Sequence, residues 1–252
     1  MRRILIAGNW KMNHTVSEAG EFFKALQVTP GAAELIICPP FTDIPLTRFF
    51  LEKSGHKWGA QNVYPEEKGA YTGEISPSML ADLGCSYVIC GHSERRQILG
   101  ESDAFVTQKV RAVLNSGMQP ILCVGETLEE REGGKTEARI REELEAVFHD
   151  MPKDKVAMVV VAYEPIWAIG SGQAADAGDA ETVAAYIRQT IRELTDKHAA
   201  EQARILYGGS VQSGNIVEFL KEKNIDGALI GGASLKSKDL SELYSKANSI
   251  SS

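Results

Sequence analysis

Glu164 stands where an ionisable side chain is least expected, at the tip of the apolar, β-branched run Val160-Val161-Ala162-Tyr163. Such a run reads as a strand buried on both faces. An ionised carboxylate at its end is costly to desolvate unless it is paired or used. Pro165 then opens the apolar, aromatic segment Ile166-Trp167-Ala168-Ile169, which closes on Gly170-Ser171-Gly172. That segment is apolar enough to cover a site, and its terminal glycines supply hinge freedom. The arrangement favours a base beneath a lid over a salt-bridged edge residue.

Three other groups have comparable placement. Lys11 lies just after the run Ile4-Leu5-Ile6-Ala7 and beside Asn9, so a cation and an amide donor stand together for an anionic ligand or a developing oxyanion. His92 follows Tyr87–Cys90 directly and precedes a helix start at Ser93-Glu94-Arg95. A helix N-terminus disfavours an imidazolium, so this ring can stay neutral and act as an electrophile or proton shuttle. His14, His56, His149 and His198 fall in loop or helical-surface contexts and receive no role. The third group is a pair of glycine-rich tips, Gly208-Gly209-Ser210 and Gly231-Gly232-Ala233-Ser234, each after a late strand, where barrels place phosphates on exposed backbone N–H groups.

Positioning these groups requires an alternating framework, and the chain supplies one. Strand-like runs recur at Ile4–Ala7, Leu35–Cys38, Trp58–Ala60, Tyr87–Cys90, Pro120–Val124, Ala157–Tyr163, Arg204–Tyr207 and Ala228–Ile230. Between them lie segments of helical period, Glu18–Leu26, Ile44–Leu51, Pro77–Leu83, Phe105–Asn115, Glu137–Phe148, Glu181–His198, Ile216–Lys221 and Leu240–Lys246. Ser76-Pro77 is a good helix start. Eight strand–helix units predict an α/β fold, a single closed (β/α)8 barrel of eight parallel strands occupying residues 1–252 as one domain, with a doubly wound open sheet as the alternative. In such a barrel the polar and glycine residues after each strand gather on one rim.

Composition narrows the partners. With 27 basic against 34 acidic residues the net charge is −7, and no basic stripe offsets it, which argues against nucleic acid. No apolar stretch approaches bilayer length, and the N-terminal apolar run is too short for a signal peptide. Cys38, Cys85, Cys90 and Cys123 form no CxxC pair and read as reduced core residues of a cytoplasmic protein. No metal or cofactor is expected. Gly134-Lys135-Thr136 mimics the end of a P-loop, but Glu129 occupies the earlier glycine position. The acidic run Glu126–Glu132 reads as a mostly solvated loop or helix start. A Schiff-base aldolase would need a lysine inside the barrel, where the sixth strand tip offers Glu164. A non-catalytic barrel would be favoured were Lys11, His92 or Glu164 missing.

The motifs together resemble the triosephosphate isomerase family over essentially the whole chain. The matching stretches, in order, are Gly8–Asn13, Gly69–Glu74, Gly91–Arg96, Cys123–Glu126, Ala162–Gly170, Tyr207–Val211 and Gly231–Ser234. The resemblance implies interconversion of dihydroxyacetone phosphate and D-glyceraldehyde 3-phosphate through an enediolate, a step of glycolysis and gluconeogenesis. It assigns Glu164 as the proton shuttle, His92 as the neutral electrophile, Lys11 and Asn9 as stabilisers of negative charge, and Glu94 as the group orienting Lys11. By the same resemblance Gly170, Ser171, Ser210, Gly231 and Gly232 hold the phosphate. Pro165, Ile166, Trp167, Ala168 and Ile169 form the lid that excludes water from the intermediate, latched by Tyr207. A homodimer is implied, in which Thr72 of the Gly69–Glu74 loop approaches the partner's site. One departure follows the lid, where many relatives carry Lys and then a hydroxyl-rich segment and this chain has Gln173–Gly178. Asp176 is expected to replace the capping hydroxyl, while Gly178 adds backbone freedom.

Overall fold

The apolar runs form eight parallel strands in the computed structural model, which describes residues 2–169 and 175–250. They are β1 (Leu5–Asn9), β2 (Glu34–Cys38), β3 (Lys57–Ala60), β4 (Tyr87–Cys90), β5 (Gln119–Val124), β6 (Val160–Tyr163), β7 (Ile205–Tyr207) and β8 (Gly227–Ile230). Each strand pairs with its neighbours in sequence order. β8 returns to β1 in the register Leu5↔Gly227 to Gly8↔Ile230, so the barrel closes and the open-sheet alternative falls.

Burial on both faces explains why the strands lack a polar alternation. Leu5, Ala7, Ile36, Ile89, Ile121, Val160, Ala162, Leu206 and Leu229 fill the barrel interior as one cluster. Ile6, Leu35, Val88, Leu122, Val161 and Ile230 instead join the larger cluster shared with the surrounding helices. The four cysteines are free and buried. At the N-terminal end of the barrel Glu34 Oε2 accepts from Arg204 Nη1 at 2.7 Å and from the Tyr87 hydroxyl at 3.0 Å, plugging the interior with a charge-paired polar cluster. Among the described residues no helix is long and apolar enough to cross a membrane.

Local chemistry sets the helix ends. The Ser76 hydroxyl accepts from Met79 N–H at 3.2 Å, with Pro77 in the first turn. Asp176 caps the helix Ala177–Leu194 through Gly178 N–H at 2.8 Å, as expected of the residue replacing a hydroxyl. Most boundaries shift by a few residues from the sequence reading, and two segments depart from it in kind. The sixth strand begins at Val160, because Lys153–Val156 forms a helical turn after Pro152. The expected helix Glu181–His198 breaks at Thr195, where Asp196 caps a separate helix, Lys197–Gln202, by accepting from Ala199 N–H at 2.8 Å. His56 also departs from its expected loop-surface setting, being buried against Tyr244 with ring centroids 5.2 Å apart.

Candidate active site

Glu164, the residue after β6, is buried at the C-terminal mouth of the barrel. Its placement depends on two neighbours that lack side chains. A Cβ on Gly208 would lie 3.0 Å from Glu164 Cγ, and one on Gly125 would collide with the Glu164 backbone carbonyl. Glu164 Oε2 accepts from Ser93 N–H at 2.8 Å. His92 Nε2 stands 2.8 Å from Oε1, yet the pair is not aligned as a hydrogen bond and Oε1 has no well-directed donor within the protein. Burial works to raise the carboxyl; His92, the Ser93 N–H and Lys11 outweigh it and hold Glu164 below the usual carboxylate range.

His92 is the N-cap of the helix Ser93–Leu99, reached through Gly91 at φ 70°, a left-handed conformation suited to glycine. Its Nδ1 accepts from Glu94 N–H at 3.2 Å, which places the ring proton on Nε2, the nitrogen facing Glu164. Burial opposes the imidazolium, and the Glu164 carboxylate overrides it, raising the proton affinity of His92. That attraction lasts only while Glu164 is ionised and adjacent. Once Glu164 gains a proton or turns away, burial and the helix N-terminus keep the imidazole neutral.

Lys11 closes the same space from β1. It adopts φ 53°, held by its N–H donating to Asn9 Oδ1 at 3.0 Å and by its carbonyl accepting from Gln61 Nε2 at 2.8 Å. Its ammonium bonds Glu94 Oε1 at 2.6 Å. A Cβ on Gly231 would lie 3.4 Å from Lys11 Cε, so the lysine stem runs past the last glycine corner. Asn9, Lys11, His92, Glu164, Ile169, Ser210, Gly231 and Gly232 all line one cavity of about 590 Å³. Gly170 and Ser171 lie outside the described residues, as do Gly172, Gln173 and Ala174.

The segment after Glu164 is tied down at its start. Pro165 leads into a single 3-10 turn, Ile166–Ala168, and Ile166 N–H donates to Glu126 O at 3.1 Å. The indole of Trp167 and the hydroxyl of Tyr163 both donate to Glu126 Oε1, at 3.0 and 3.1 Å. Arg131 stacks over Trp167 at 4.6 Å. Beyond the segment, the Tyr207 hydroxyl accepts from Ala175 N–H at 3.1 Å, and the Tyr207 ring stacks on Phe219 at 4.1 Å.

Glu126 corrects the sequence reading. The helix Leu128–Glu132 is surface-exposed as expected, but Glu126 is fully buried and anchors the segment over the site. Its position directly after β5 and Gly125, at a strand tip, was the available signal. Thr72 sits in an exposed loop away from the cavity of its own chain.

One carboxylate, one imidazole with its proton inward and one ammonium therefore meet beside two glycine corners. Such a set can take a proton from carbon next to a carbonyl, neutralise the resulting oxyanion and hold an anionic group on backbone N–H donors.

Comparison with known proteins agrees. The sequence profile of the triosephosphate isomerase family matches residues 4–247. The chain is 50% identical over 239 residues to the triosephosphate isomerase of Chloroflexus aurantiacus, covering 94% of this chain and 96% of that protein. The Dictyoglomus turgidum triosephosphate isomerase is 50% identical over the same length and coverage, and that of Dictyoglomus thermophilum is 48% identical. The chain belongs to the triosephosphate isomerase family.

Proposed function

We propose that this chain interconverts dihydroxyacetone phosphate and D-glyceraldehyde 3-phosphate by moving a proton between adjacent carbons through an enediolate. The observation carrying this reading is the convergence of Glu164, His92 and Lys11 on one cavity that also contains Ser210, Gly231 and Gly232. In the arrangement described, Glu164 is a weak base, since Ser93 and His92 hold its carboxylate. Substrate entering between Glu164 and His92 separates the pair and removes stabilisation from the buried carboxylate, which raises its basicity where the proton is taken. The same carboxylic acid then returns the proton to the neighbouring carbon.

His92 Nε2–H is the donor for the two substrate oxygens, and Lys11, fixed by Glu94, supplies positive charge to the enediolate and the phosphate. Asn9 Oδ1 is engaged by Lys11 N–H, which leaves its amide N–H groups for substrate. Backbone N–H groups at Ser210, Gly231 and Gly232, with Gly170 and Ser171, receive the phosphate. Pro165–Ile169 closes over the intermediate, with Tyr207 as latch, and excludes water that would favour phosphate loss.

A homodimer completes this reading, within one barrel domain per chain. Large apolar side chains stay exposed after β1, β3 and β4: Met12 (96% exposed), Tyr71, Met79, Ile98 and Leu99. They follow strands β1, β3 and β4 on the rim that carries the cavity, which supports a partner seated there with its Thr72 loop close to Asn9, Lys11 and His92. The buried free cysteines support a reducing, cytoplasmic setting. The deciding experiment couples turnover of glyceraldehyde 3-phosphate to an NADH-dependent reductase acting on the product, for wild type and Glu164→Gln. Turnover lost in the variant supports the reading; a folded, dimeric wild type without turnover overturns it.

A further inference from the structure

Behind the strand tips that carry His92 and Glu164 lies a group of charged side chains drawn from three helices. Arg96 comes from Ser93–Leu99, Asp103 opens Asp103–Asn115, and Arg139 and Glu143 stand one turn apart on Thr136–Phe148. None of the four lines the cavity that holds Glu164, and Glu143 is buried. Charges in such a place are costly unless each is paired and hydrogen-bonded. Arg96 Nη1 binds Asp103 Oδ1, and Arg139 Nη1 donates to Asp103 Oδ2 at 3.2 Å. Arg139 Nη2 donates to Glu143 Oε1 at 2.9 Å, and Arg96 Nε stands 3.7 Å from the same oxygen.

Three further bonds from this group reach backbone at the strand tips. Arg96 Nε donates to Gly91 O at 2.7 Å, and Arg96 Nη2 donates to Cys123 O at 3.4 Å. Glu143 Oε2 accepts from Gly125 N–H at 2.9 Å. Gly91 is the left-handed corner that delivers His92, and a Cβ there would lie 2.9 Å from Arg96 Nη2, so the guanidinium packs directly against it. Gly125 is the corner on which the Glu164 backbone carbonyl rests. One guanidinium therefore grips the tips of β4 and β5 together, and one carboxylate fixes the seat of Glu164. A lysine would carry the same charge without the planar fork that serves several acceptors at once.

We propose that Arg96 and Glu143 are positioning residues that set the placement of His92 relative to Glu164 by bracing the Gly91 and Gly125 corners from behind. Neither residue touches substrate. Both Glu143 oxygens act as acceptors, so an amide in its place must turn its NH2 toward a donor, either Gly125 N–H or Arg139. In either orientation the Gly125 N–H loses its charged acceptor. The phosphate corners at Ser210, Gly231 and Gly232 follow other strands, β7 and β8, so the brace governs the proton-transfer step more than affinity. That effect on proton transfer rests on the function proposed above; the bracing of the two corners does not.

The test measures kcat and KM for glyceraldehyde 3-phosphate in wild type, Arg96→Lys and Glu143→Gln, and follows hydrogen exchange of the Gly125 amide by 1H–15N NMR in wild type and Glu143→Gln. In both variants kcat is expected to fall about ten- to fifty-fold while KM stays within about three-fold. The Gly125 amide is expected to exchange about ten-fold faster in Glu143→Gln. The nearly isosteric Glu143→Gln serves alone if Arg96→Lys fails to fold. Wild-type kcat in Arg96→Lys would reduce the guanidinium to a charge and overturn the brace, as would a rise in KM at unchanged kcat in either variant. Unchanged Gly125 exchange in Glu143→Gln would overturn the hold on that corner. Absent turnover in wild type would sink the triose phosphate reading, while the exchange comparison would still decide the brace.

Discussion

His92 Nε2 lies 2.8 Å from Glu164 Oε1, while the other carboxylate oxygen accepts the Ser93 N–H, so Glu164 is held by the helix whose N-cap is His92. One strand tip supplies the carboxylate and another supplies both of its restraints. If Glu164 is the base, Glu164→Gln keeps the amide within reach of Ser93 and removes the proton acceptor. Turnover is expected to fall about a thousand-fold or more, with competitive inhibition by inorganic phosphate changed less than about three-fold. Comparable loss of phosphate binding would make Glu164 a structural residue.

Two glycines against Glu164 should separate rate from stability. A Cβ on Gly208 meets Glu164 Cγ and the Tyr163 carbonyl oxygen, each at 3.0 Å, contacts that shifts of a few tenths of an ångström relieve, whereas one on Gly125 would collide with the Glu164 backbone carbonyl oxygen. Gly208→Ala is expected to cut kcat about ten- to a hundred-fold by displacing the carboxylate, with a melting temperature within about 5 °C of wild type. Gly125→Ala should lower melting temperature as well as rate, because backbone must move. Equal melting temperatures for the two variants would contradict this division.

Much of this arrangement was legible in the sequence, and the misses share a cause. Strand β4 matches its apolar run residue for residue, because burial on both faces leaves a continuous signal, and the helix Ile44–Leu51 matches because its buried Ile44, Thr47 and Leu51 recur at helical spacing. Glu164, His92 and Lys11 could be picked out because a charged or titratable group at the end of such a run has no packing reason to be there. Glu126 was hidden among acidic neighbours that are solvated: its strand-tip position marked it, but the donors it serves, Tyr163 and Trp167, lie 37 and 41 residues away.

The anchoring of Trp167 by Glu126 predicts a lid phenotype. Glu126 Oε1 accepts from both the Trp167 indole and the Tyr163 hydroxyl, and Arg131 lies over the indole face with its Nη1 3.5 Å from the same oxygen. Glu126→Gln retains the shape but puts an N–H donor into a site built for acceptors, leaving one donor unsatisfied. Stability is expected to fall by about 1–3 kcal/mol, and Trp167 emission should shift to longer wavelength as the ring meets water. Trp10→Phe and Trp58→Phe backgrounds isolate that signal. Unchanged Trp167 emission in Glu126→Gln would mean that the anchor does not set the position of the segment.

The polar plug at the other end of the barrel makes the acid response predictable. Burial works to raise the Glu34 carboxyl, but Lys57 Nζ at 2.7 Å, Arg204 Nη1 at 2.7 Å and their charges bring it down to about 2. A carboxyl depressed in the folded state stabilises the fold above its unfolded value of about 4.3 and loses that contribution as pH falls through its folded value. At pH 7 the contribution is about 2–3 kcal/mol, with the half-exposed Lys57 placing it at the lower end. Glu34→Gln should therefore unfold at lower urea than wild type at neutral pH. The gap should narrow as pH falls below the unfolded carboxyl's range, and nearly close as it approaches about 2. A gap that stayed constant with pH would assign Glu34 to shape and hydrogen bonding with the Tyr87 hydroxyl, because a charge effect must titrate with its charge.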